Sequence, residues 1–246
     1  MKIAIIGASG FVGTALLNES LDRKHQVTAI ARNPEKISKT DANLTTKKAD
    51  VTNVAELAEI LSGHDIVISA YNPGWTNPNI YDDFIAGSKA IQEAVKQSGA
   101  KRLLVIGGAG SLEIAPGLQL IDTPEFPAEY KPGASAARDY LNILKTETAI
   151  DWTFFSPAIE MHQGITTGRT GKYRTGLDNP VFDENGRCVL SVEDLAIAVI
   201  DEAETDNLPE SVLLQRINFL SGTRTVCILT FVEIQTVFLC HSALIL

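Results

Sequence analysis

The sequence predicts an α/β protein built on a doubly wound parallel sheet with helices packed on both faces. Short runs rich in Val and Ile alternate with longer helical stretches along most of the chain, which is the pattern of parallel strands joined by helical crossovers. The short runs are almost continuously apolar, as expected for strands that are buried on both faces. The first run leads directly into a glycine-rich turn and then a helix, so the first crossover lies at the start of the chain.

Six strands and five helices follow from these patterns. The strands are predicted at residues 3–6, 26–31, 44–49, 65–71, 103–107 and 152–155. Helices are predicted at 12–22, between Asn53 and Gly63, at 80–97, at 134–146 and from Ser191 onward. Asn53 with Glu56, and Ser191 with Asp194, have the spacing of a helix capping box. Because such crossovers are right-handed, we expect the first strand to lie in the centre of the sheet.

Two segments between these elements are rich in turn residues. Residues 111–133 contain several prolines and glycines, and we expect them to form a long loop over the carboxyl edge of the sheet. Residues 166–185 suit a small hairpin or lobe over the same edge. The sheet is therefore expected to carry a small lobe on the side where a substrate would bind.

The composition limits the classes of function. With 246 residues, 45% of them hydrophobic, the chain can bury one sizeable core. The net charge of −9 argues against a nucleic-acid partner, because phosphate backbones are bound through excess Lys and Arg. We expect no membrane partner and no signal peptide, since neither a basic run nor a suitable apolar leader is found. The three cysteines and four histidines are scattered, so we expect no metal site and a cytoplasmic location.

The turn after the first strand, Gly-Ala-Ser-Gly-Phe-Val-Gly, has the spacing of a pyrophosphate-binding turn. Its three glycines would allow the tight turn, the close approach of a phosphate and the packing of the helix on the sheet. The first amides of the helix lack partners and carry roughly half a positive charge from the helix dipole. Dinucleotide contacts are therefore predicted from Gly7, Ala8, Ser9, Gly10, Phe11 and Val12. Ordinary turns also favour glycine, so the position between strand and helix is what favours the nucleotide interpretation.

Arg32 stands at the end of the second predicted strand. An acidic residue at that place binds the ribose hydroxyls of NAD, whereas an Arg accommodates the 2′-phosphate of NADP. With Lys36 nearby, NADP is favoured over NAD; the alternative is a surface Arg that ends the strand. Asp50 and Val51 follow the third strand and are placed to contact the adenine, unless Asp50 only leads into the next helix.

The remaining strands bring small residues to the same edge, because parallel strands end together there. A dinucleotide lying across that edge is predicted to contact Ser69, Ala70, Tyr71, Gly107, Gly108, Ser156, Pro157 and Ala158. Glycine after a strand is also a common turn residue, which is the alternative for Gly107 and Gly108. Tyr71 and Trp75 beside this edge would offer an aromatic surface to a flat ring.

With these motifs the chain resembles the atypical short-chain dehydrogenase/reductase group. The closest likeness is to its NADH-flavin reductase-like and biliverdin reductase B-like members, with NmrA-like proteins more distant. The resemblance rests on the glycine turn, Arg32, Asp50 and Val51, Val-Ile-Gly-Gly-Ala-Gly-Ser from Val105, Ser-Pro-Ala from Ser156 and Ser-Val-Glu-Asp-Leu-Ala from Ser191. It covers residues 1–205 and implies a Rossmann-like fold with an NAD(P) cofactor. The chain after residue 217 departs from the group.

The chain also departs from this group in its proton donor. Short-chain dehydrogenases usually carry Tyr-x-x-x-Lys, in which the Lys lowers the pKa of the Tyr so that the phenol can exchange a proton with substrate. Here Tyr130 is followed four residues later by Ala134. Tyr140 has Leu144 at that position, and Lys145 one residue further is turned off the face of Tyr140 on a helix. Sugar epimerase and dehydratase chemistry therefore lack their usual acid.

Hydride transfer to a flavin survives this loss, because solvent can supply the proton. We therefore predict an NAD(P)H-dependent oxidoreductase, with NADP as cofactor and a flavin or similar flat acceptor as a substrate that is not tightly bound. The resemblance places Ser111 near the nicotinamide as an orienting hydroxyl; otherwise it caps its loop. Tyr130 would stack on or hydrogen-bond the substrate, or else anchor its loop. A non-catalytic NADP-binding redox sensor, as in NmrA-like proteins, and an epimerase or dehydratase with an unrecognised acid stay open as alternatives.

The domain organisation follows from these assignments. We predict an NAD(P)-binding domain over residues 1–216, with a cofactor half at 1–110 and a substrate-side half at 111–216. The protein is expected to act on a small molecule as a monomer or homodimer. Residues 217–246 are strongly apolar, but Glu233 falls near their middle. Because a charge there costs about 2.5–3.5 kcal/mol on insertion scales, core strands or an aberrant tail fit better than a membrane span.

Overall fold

The computed structural model describes residues 1–205 and the strand Thr223–Leu229, and it contains every predicted strand and helix within a few residues of its expected bounds. The strands are β1 Lys2–Ile6, β2 Gln26–Ala31, β3 Leu44–Lys48, β4 Ile66–Ser69, β5 Arg102–Ile106, β6 Glu113–Ala115, β7 Leu118–Gln119, β8 Asp151–Ser156, β9 Arg174–Gly176 and β10 Thr223–Leu229. The α-helices are α1 Phe11–Asp22, α2 Val54–Leu61, α3 Ile80–Ser98, α4 Lys131–Leu144 and α5 Val192–Thr205.

The main sheet has the order β3-β2-β1-β4-β5-β8-β10-β9. The neighbouring strands from β3 to β10 run parallel, and β9 pairs antiparallel with β10 at the edge. β1 lies between β2 and β4, as the right-handed crossovers predict. Chain order reverses at this strand, so the carboxyl ends of β1 and β4 border the crevice in which open α/β sheets bind ligands.

Helices cover both faces of the sheet, which confirms the predicted fold class. The α1 and α5 helices pack together on one face, while α2, α3 and α4 form the layer on the other. β1 shows why the sequences of the strands are almost continuously apolar. Its residues Ile3 and Ile5 enter the core under α1 and α5, and Ala4 and Ile6 enter the core under α2, α3 and α4. Successive side chains of a strand point to opposite faces, so both sets are buried.

Local sequence signals determine the start of α2 and the end of α3. The side-chain Oδ1 of Asn53 accepts the backbone amide of Glu56 at 3.4 Å, and the side-chain NH₂ of Asn53 donates to the Glu56 carboxylate at 2.8 Å, so the predicted cap of α2 is present. Gly99 ends α3 in the left-handed conformation at φ 73°, which glycine adopts without strain.

The predicted long loop at residues 111–133 is wrong in detail. It contains the short β6–β7 hairpin, and α4 begins at Lys131 instead of residue 134. Pro132 lies in the first turn of this helix. A proline there loses no hydrogen bond, because the first amides of a helix have no intrahelical acceptor, and its fixed φ already suits the helix. The proline therefore marks a helix start and not more loop.

The predicted lobe at residues 166–185 also differs from expectation, because its only strand, β9, joins the main sheet and not a separate hairpin. The predicted tail at 217–246 includes β10, whose backbone pairs with β8; the rest of that segment lies outside the described residues. Within residues 1–205 and β10, no helix has both the length and the apolar composition needed to cross a bilayer. The same part of the chain holds no cluster of three or more His, Cys, Asp or Glu suited to a metal ion.

Candidate functional site

The glycine turn between β1 and α1 has the close backbone packing that its sequence predicts. Gly7 has φ 80°, and a Cβ on it would lie 2.5 Å from the carbonyl oxygen of Ala70. A Cβ on Gly13 would lie 2.1 Å from the Gly7 oxygen, so α1 begins directly against the turn. The amides of Gly7 and Ala8 donate to the carbonyl of Ile30 at 2.9 and 3.3 Å. The turn is thus held rigidly between β2, β4 and α1.

The first amides of α1 have no side-chain cap. Gly10 is its N-cap and contributes no side-chain cap, and the first turn carries no acidic residue. Phe11, Val12 and Gly13 are the first three helical residues, so their amides have no acceptor within the helix. Gly10 is exposed, and a Cβ on it would meet only the Gly7 oxygen, at 3.3 Å. The space in front of these amides is therefore open to a phosphate, which is the fit that a dinucleotide requires.

Arg32, Asp50 and Tyr71 lie together at the carboxyl ends of neighbouring strands. The pKa of Asp50 is lowered, mainly by the backbone amide and hydroxyl of Thr52 and further by the charge of Arg32. Burial raises the pKa of Tyr71, and the charge of Arg32 opposes that rise. Arg32 and Asp50 are exposed, whereas Val51 is buried. The predicted positions for a 2′-phosphate and an adenine thus share one corner of the sheet edge.

Two of the predicted contact residues are engaged within the protein. The hydroxyl of Tyr71 donates to the carbonyl of Asp83 at 3.0 Å, and its ring packs on Phe84 and on Gly87 of α3. Ser69 is buried at the end of β4. The hydroxyl and ring of Tyr71 therefore tie the end of β4 to α3.

Ser111 and Ser156 form a hydrogen-bonded pair that the sequence did not predict. Their hydroxyl oxygens are 3.1 Å apart, and the Ser111 hydroxyl donates to the carbonyl of Gly108 at 3.1 Å. Ser156 is 0% exposed. The two residues are 45 positions apart, but β5 and β8 are neighbours, so their carboxyl ends meet. Gly107, Pro157 and Ala158 flank the pair, with Pro157 and Ala158 buried.

Two exposed aromatic side chains stand beside this edge. Trp75 is 59% and Tyr130 is 47% exposed, and their rings meet edge to face with centroids 5.6 Å apart. Tyr130 is the N-cap of α4, and a Cβ on Gly133 in the same helix would lie 2.8 Å from the Trp75 ring. The missing side chain at Gly133 thus lets Trp75 lie against α4. The sequence analysis paired Trp75 with Tyr71 as an aromatic surface for a flat ring. In the structure, the tyrosine whose ring contacts Trp75 is Tyr130.

The proton donor of short-chain dehydrogenases has no counterpart on α4. Tyr140 is 1% exposed and packs edge to face on Phe84. Its hydroxyl is buried without a hydrogen-bond partner among the described residues, and burial raises the pKa of Tyr140 far above its usual value. Lys145, the C-cap residue of α4, is exposed. The predicted absence of a Tyr–Lys pair is thus visible in the packing of the helix.

A cleft of about 520 Å³ lies on the outer side of the glycine turn. It is lined by Ser9, Gly10 and Phe11 together with side chains of α1, α5 and Arg169. None of its lining residues comes from the ends of β4, β5 or β8. We place the candidate site at the sheet edge and not in this cleft, because the strand ends carry the residues just described and are where such sheets bind ligands.

Comparisons with known proteins identify the family of this chain. Residues 7–206 match the NAD(P)H-binding family. The uncharacterized protein YwnB of Bacillus subtilis is 40% identical over 207 residues, covering 83% of this chain and 92% of that protein. A crystal structure of a proposed epimerase from Bacteroides thetaiotaomicron is 44% identical with a TM-score of 0.80, covering 95% of this chain and 99% of that one.

A third relative carries a reductase name. The crystal structure of a proposed NADH-flavin reductase from Streptococcus pneumoniae is 33% identical with a TM-score of 0.73, covering 94% of this chain and all of that one (100%). The family match begins at Gly7, directly after β1, and covers the strands from β2 to β9 and the helices from α1 to α5. This protein therefore belongs to the NAD(P)H-binding family and shares its Rossmann-like fold.

Proposed function

We propose that the protein is an NADPH-dependent reductase that transfers hydride to a flat acceptor such as a flavin. The observation that carries this proposal is that two features occur together. The sheet edge has an open cradle for a phosphate, and α4 lacks the tyrosine–lysine pair that serves as the acid in short-chain dehydrogenases. The cradle is formed by the amides that begin α1, and Tyr140 of α4, which lacks a lysine partner, is buried in the core. Hydride transfer to a flavin needs the cradle and can do without the acid, since solvent supplies the proton.

The chain's own residues then act by binding and orientation. The amides of Phe11 and Val12 would hold the pyrophosphate, and Arg32 would bind a 2′-phosphate, which favours NADP over NAD. Ser111 and Ser156 would orient the nicotinamide end, with Pro157 and Ala158 forming its wall. A reduced nicotinamide held there supplies the hydride.

The exposed aromatic pair supports a flat acceptor. Trp75 and Tyr130 present ring surface beside the strand ends, and exposed aromatic rings of this kind are favourable stacking partners for a heteroaromatic ring. The reductase name of the Streptococcus pneumoniae relative agrees with this proposal.

One assay tests the proposal directly. Purified protein is mixed with NADPH and FMN, and the nicotinamide absorbance is followed against a protein-free control. We expect turnover well above the control rate. Tight NADPH binding without turnover would contradict the reductase and leave the redox sensor as the function.

An epimerase is the second candidate, because the Bacteroides thetaiotaomicron relative carries that name. The proposed site argues against it, since epimerisation needs a side chain that moves a proton. Tyr140 cannot reach the sheet edge from the core, and Tyr130 is exposed at the start of α4 without a lysine one turn later. We therefore rank reduction first, acting on a small molecule in the cytoplasm as a monomer or homodimer.

A further inference from the structure

Residues 183–187 form a tight turn with the sequence Asp-Glu-Asn-Gly-Arg. The amide of Gly186 donates to the carbonyl of Asp183 at 3.0 Å, and the amide of Asp183 donates to the carbonyl of Arg187 at 2.8 Å. Gly186 has φ 72°, the left-handed conformation that closes such a turn and that glycine adopts without strain. Asn185, Gly186 and Arg187 are all exposed. The tip of the turn thus presents an asparagine followed by a glycine to water.

The side chain of Asn185 makes no hydrogen bond within the described part of the chain. Asparagine in a turn often bonds its own backbone two residues on, but here the Oδ1 atom of Asp183 has that role and accepts the amide of Asn185 at 2.9 Å. Apart from its two neighbours in the chain, no atom lies within 4 Å of a Cβ placed on Gly186. The space beside Gly186 is therefore open to the side chain that precedes it.

An asparagine followed by glycine can lose its side-chain amide without an enzyme, and asparagine is among the thermolabile residues. The backbone nitrogen of the glycine gives its proton to solvent and attacks the side-chain carbonyl carbon Cγ. The new N–Cγ bond closes a five-membered imide, and the C–NH₂ bond breaks to release ammonia. Water then opens the imide at either carbonyl and leaves aspartate or isoaspartate. The net change converts amide and water to carboxylate and ammonium, without oxidation.

Asn185 is the only asparagine in the sequence that is followed by glycine. Four others, Asn33, Asn72, Asn77 and Asn179, precede proline, whose nitrogen has no proton to lose. The remaining seven precede Glu, Val, Leu, Ile or Phe, whose side chains crowd the attacking nitrogen. The sequence thus confines fast imide formation to one position, and the fold leaves that position exposed.

The turn opposes the reaction through one contact. The attacking nitrogen of Gly186 is the donor of the 3.0 Å hydrogen bond to Asp183, and this bond must open before the ring can close. It lies at the exposed tip of a loop, where local opening costs far less free energy than global unfolding. Ring closure makes the loss permanent in the imide, because its nitrogen carries no proton to donate.

The turn is attached to the segment that follows β8 and contains Pro157 and Ala158. Arg187 donates to both carboxylate oxygens of Glu160, at 3.2 Å from Nε and 2.5 Å from Nη2. The amide of Glu160 donates to the carbonyl of Cys188 at 2.8 Å. A change in the spacing of the turn therefore acts on this ion pair and on the pairing of the two segments.

We propose that Asn185 deamidates spontaneously in the folded protein, and that the isoaspartate product loosens the attachment of this turn to Glu160. Isoaspartate places one extra carbon atom in the main chain between residues 185 and 186. Asp183 accepts the amides of Asn185, Gly186 and Arg187, and these three bonds fit only the normal spacing. The reaction needs only water, so it does not depend on the proposed reductase function.

The test follows the full-length protein in warm, mildly alkaline buffer. A synthetic peptide of residues 178–192 and the variant Asn185→Gln, which cannot close a five-membered ring, are incubated in parallel. Peptide mapping by mass spectrometry locates each conversion of amide to acid. Labelling with isoaspartyl methyltransferase separates isoaspartate from aspartate. Hydrogen exchange then compares fresh protein, aged protein and the variant Asn185→Asp, which has the new charge without the extra main-chain atom.

We expect Asn185 in the folded protein to convert about tenfold or more faster than any other asparagine, which corresponds to a barrier lower by about 1.4 kcal/mol or more. Asn185→Gln should show no conversion in the turn. In aged protein, exchange should rise at the amides of Glu160 and Leu190, which pair with Cys188 and Glu160. Asn185→Asp should exchange at these two amides as the fresh protein does.

Three results would overturn the proposal. If Asn185 stays intact in the folded protein while the peptide reacts, the hydrogen bond between Gly186 and Asp183 protects the turn and the site does not exist. Equal exchange at Glu160 in fresh and aged protein would remove the proposed effect of the product. An equal rise in Asn185→Asp would assign that effect to charge and not to the extra main-chain atom.

Discussion

Arg32 is exposed at the carboxyl end of β2, and its charge acts on both Asp50 and Tyr71. If it binds a 2′-phosphate, Arg32→Glu should weaken NADPH binding about tenfold to a hundredfold, because a charge-assisted hydrogen bond is replaced by repulsion. NADH, which lacks this phosphate, should bind almost as before. Isothermal titration of both coenzymes measures the effect.

The control for this prediction is Lys39→Glu, which makes the same charge change at an exposed position a few residues later. It should reduce NADPH binding far less than Arg32→Glu does. Equal losses of affinity for NADPH and NADH in Arg32→Glu would mean that Arg32 supports the local structure of the sheet edge and does not bind the 2′-phosphate.

The glycines of the turn allow packing and binding to be separated. A Cβ on Gly10 meets one oxygen at 3.3 Å, whereas a Cβ on Gly13 would lie 2.1 Å from the Gly7 oxygen. Gly10→Ala should therefore cost about 1 kcal/mol of stability but strongly weaken NADPH, because its methyl group enters the space of the phosphate. Gly13→Ala should destabilise the fold by about 3 kcal/mol or more. Urea unfolding measures the stability of both variants, and titration with NADPH measures their affinity. An unchanged NADPH affinity in Gly10→Ala would show that the phosphate does not bind at this position.

At the scale of single residues, the sequence predicts a position well when one strand or turn determines it. The positions of Arg32 and of the three turn glycines belong to that class, since each follows from a single strand and the turn after it. The Ser111–Ser156 bond and the Trp75–Tyr130 contact form across elements that are far apart in the chain. No local pattern encodes which of several strand ends become neighbours at hydrogen-bonding distance.

Secondary-structure elements were predictable where periodicity and caps agree. The start of α4 is an instructive exception, because Pro132 and the prolines before it have the composition of a loop while only Pro132 lies in the helix. β9 is another, since three residues that pair with β10 carry no periodic signal of their own. Both errors concern elements that tertiary contacts stabilise.

Asp194 shows how an element can have two functions. It was predicted as the capping partner of Ser191, and its backbone amide does donate a hydrogen bond to the Ser191 hydroxyl at 3.1 Å. Its carboxylate, which is 0% exposed, instead accepts the amides of Thr170 and Gly171 at 2.9 Å and the hydroxyl of Thr170 at 2.6 Å. The first turn of α5 thus anchors the segment before β9.

We expect Asp194→Ala to destabilise the protein by about 3 kcal/mol, because three donors lose their acceptor. Ser191→Ala should cost about 1 kcal/mol, the usual cost of losing an N-cap. Urea unfolding measures the difference, and hydrogen exchange should rise at Thr170 and Gly171 only in Asp194→Ala. Equal exchange in the two variants would show that the segment is held by other contacts.

The order of the sheet is the level at which the sequence was most informative. Alternation of strands and helices, with the handedness of crossovers, leaves few possible arrangements, and the central position of β1 follows from them. The ion pairs that join α1 to α5 are not encoded in this way. Arg23 of α1 pairs with Glu19 in its own helix and with Asp201 and Glu204 of α5. The two α5 partners lie 178 and 181 residues from Arg23 in the sequence.

Glu19 is the buried centre of this network, and it makes the stability of the whole molecule depend on pH. Burial raises the pKa of Glu19, but hydrogen bonds from Arg169 and then Arg23 outweigh this, so the pKa lies below its ordinary value of 4.5. A carboxylate with a lowered pKa in the folded state contributes stability that is present above the unfolded pKa. That stability is lost as the pH falls through the folded pKa.

Glu19→Gln should therefore lower the free energy of unfolding by about 2 kcal/mol at pH 7, because charged hydrogen bonds to Arg23 and Arg169 become neutral. The difference from the wild type should shrink once the pH falls below 4.5, where the wild-type carboxylate starts to lose its advantage. Urea unfolding between pH 3 and 7 measures it, with the exposed Glu59→Gln as the control for removing one negative charge. A difference that stays constant over this range would show that Glu19 acts through packing, because only its ionised form can bind the two arginines more strongly than an amide does.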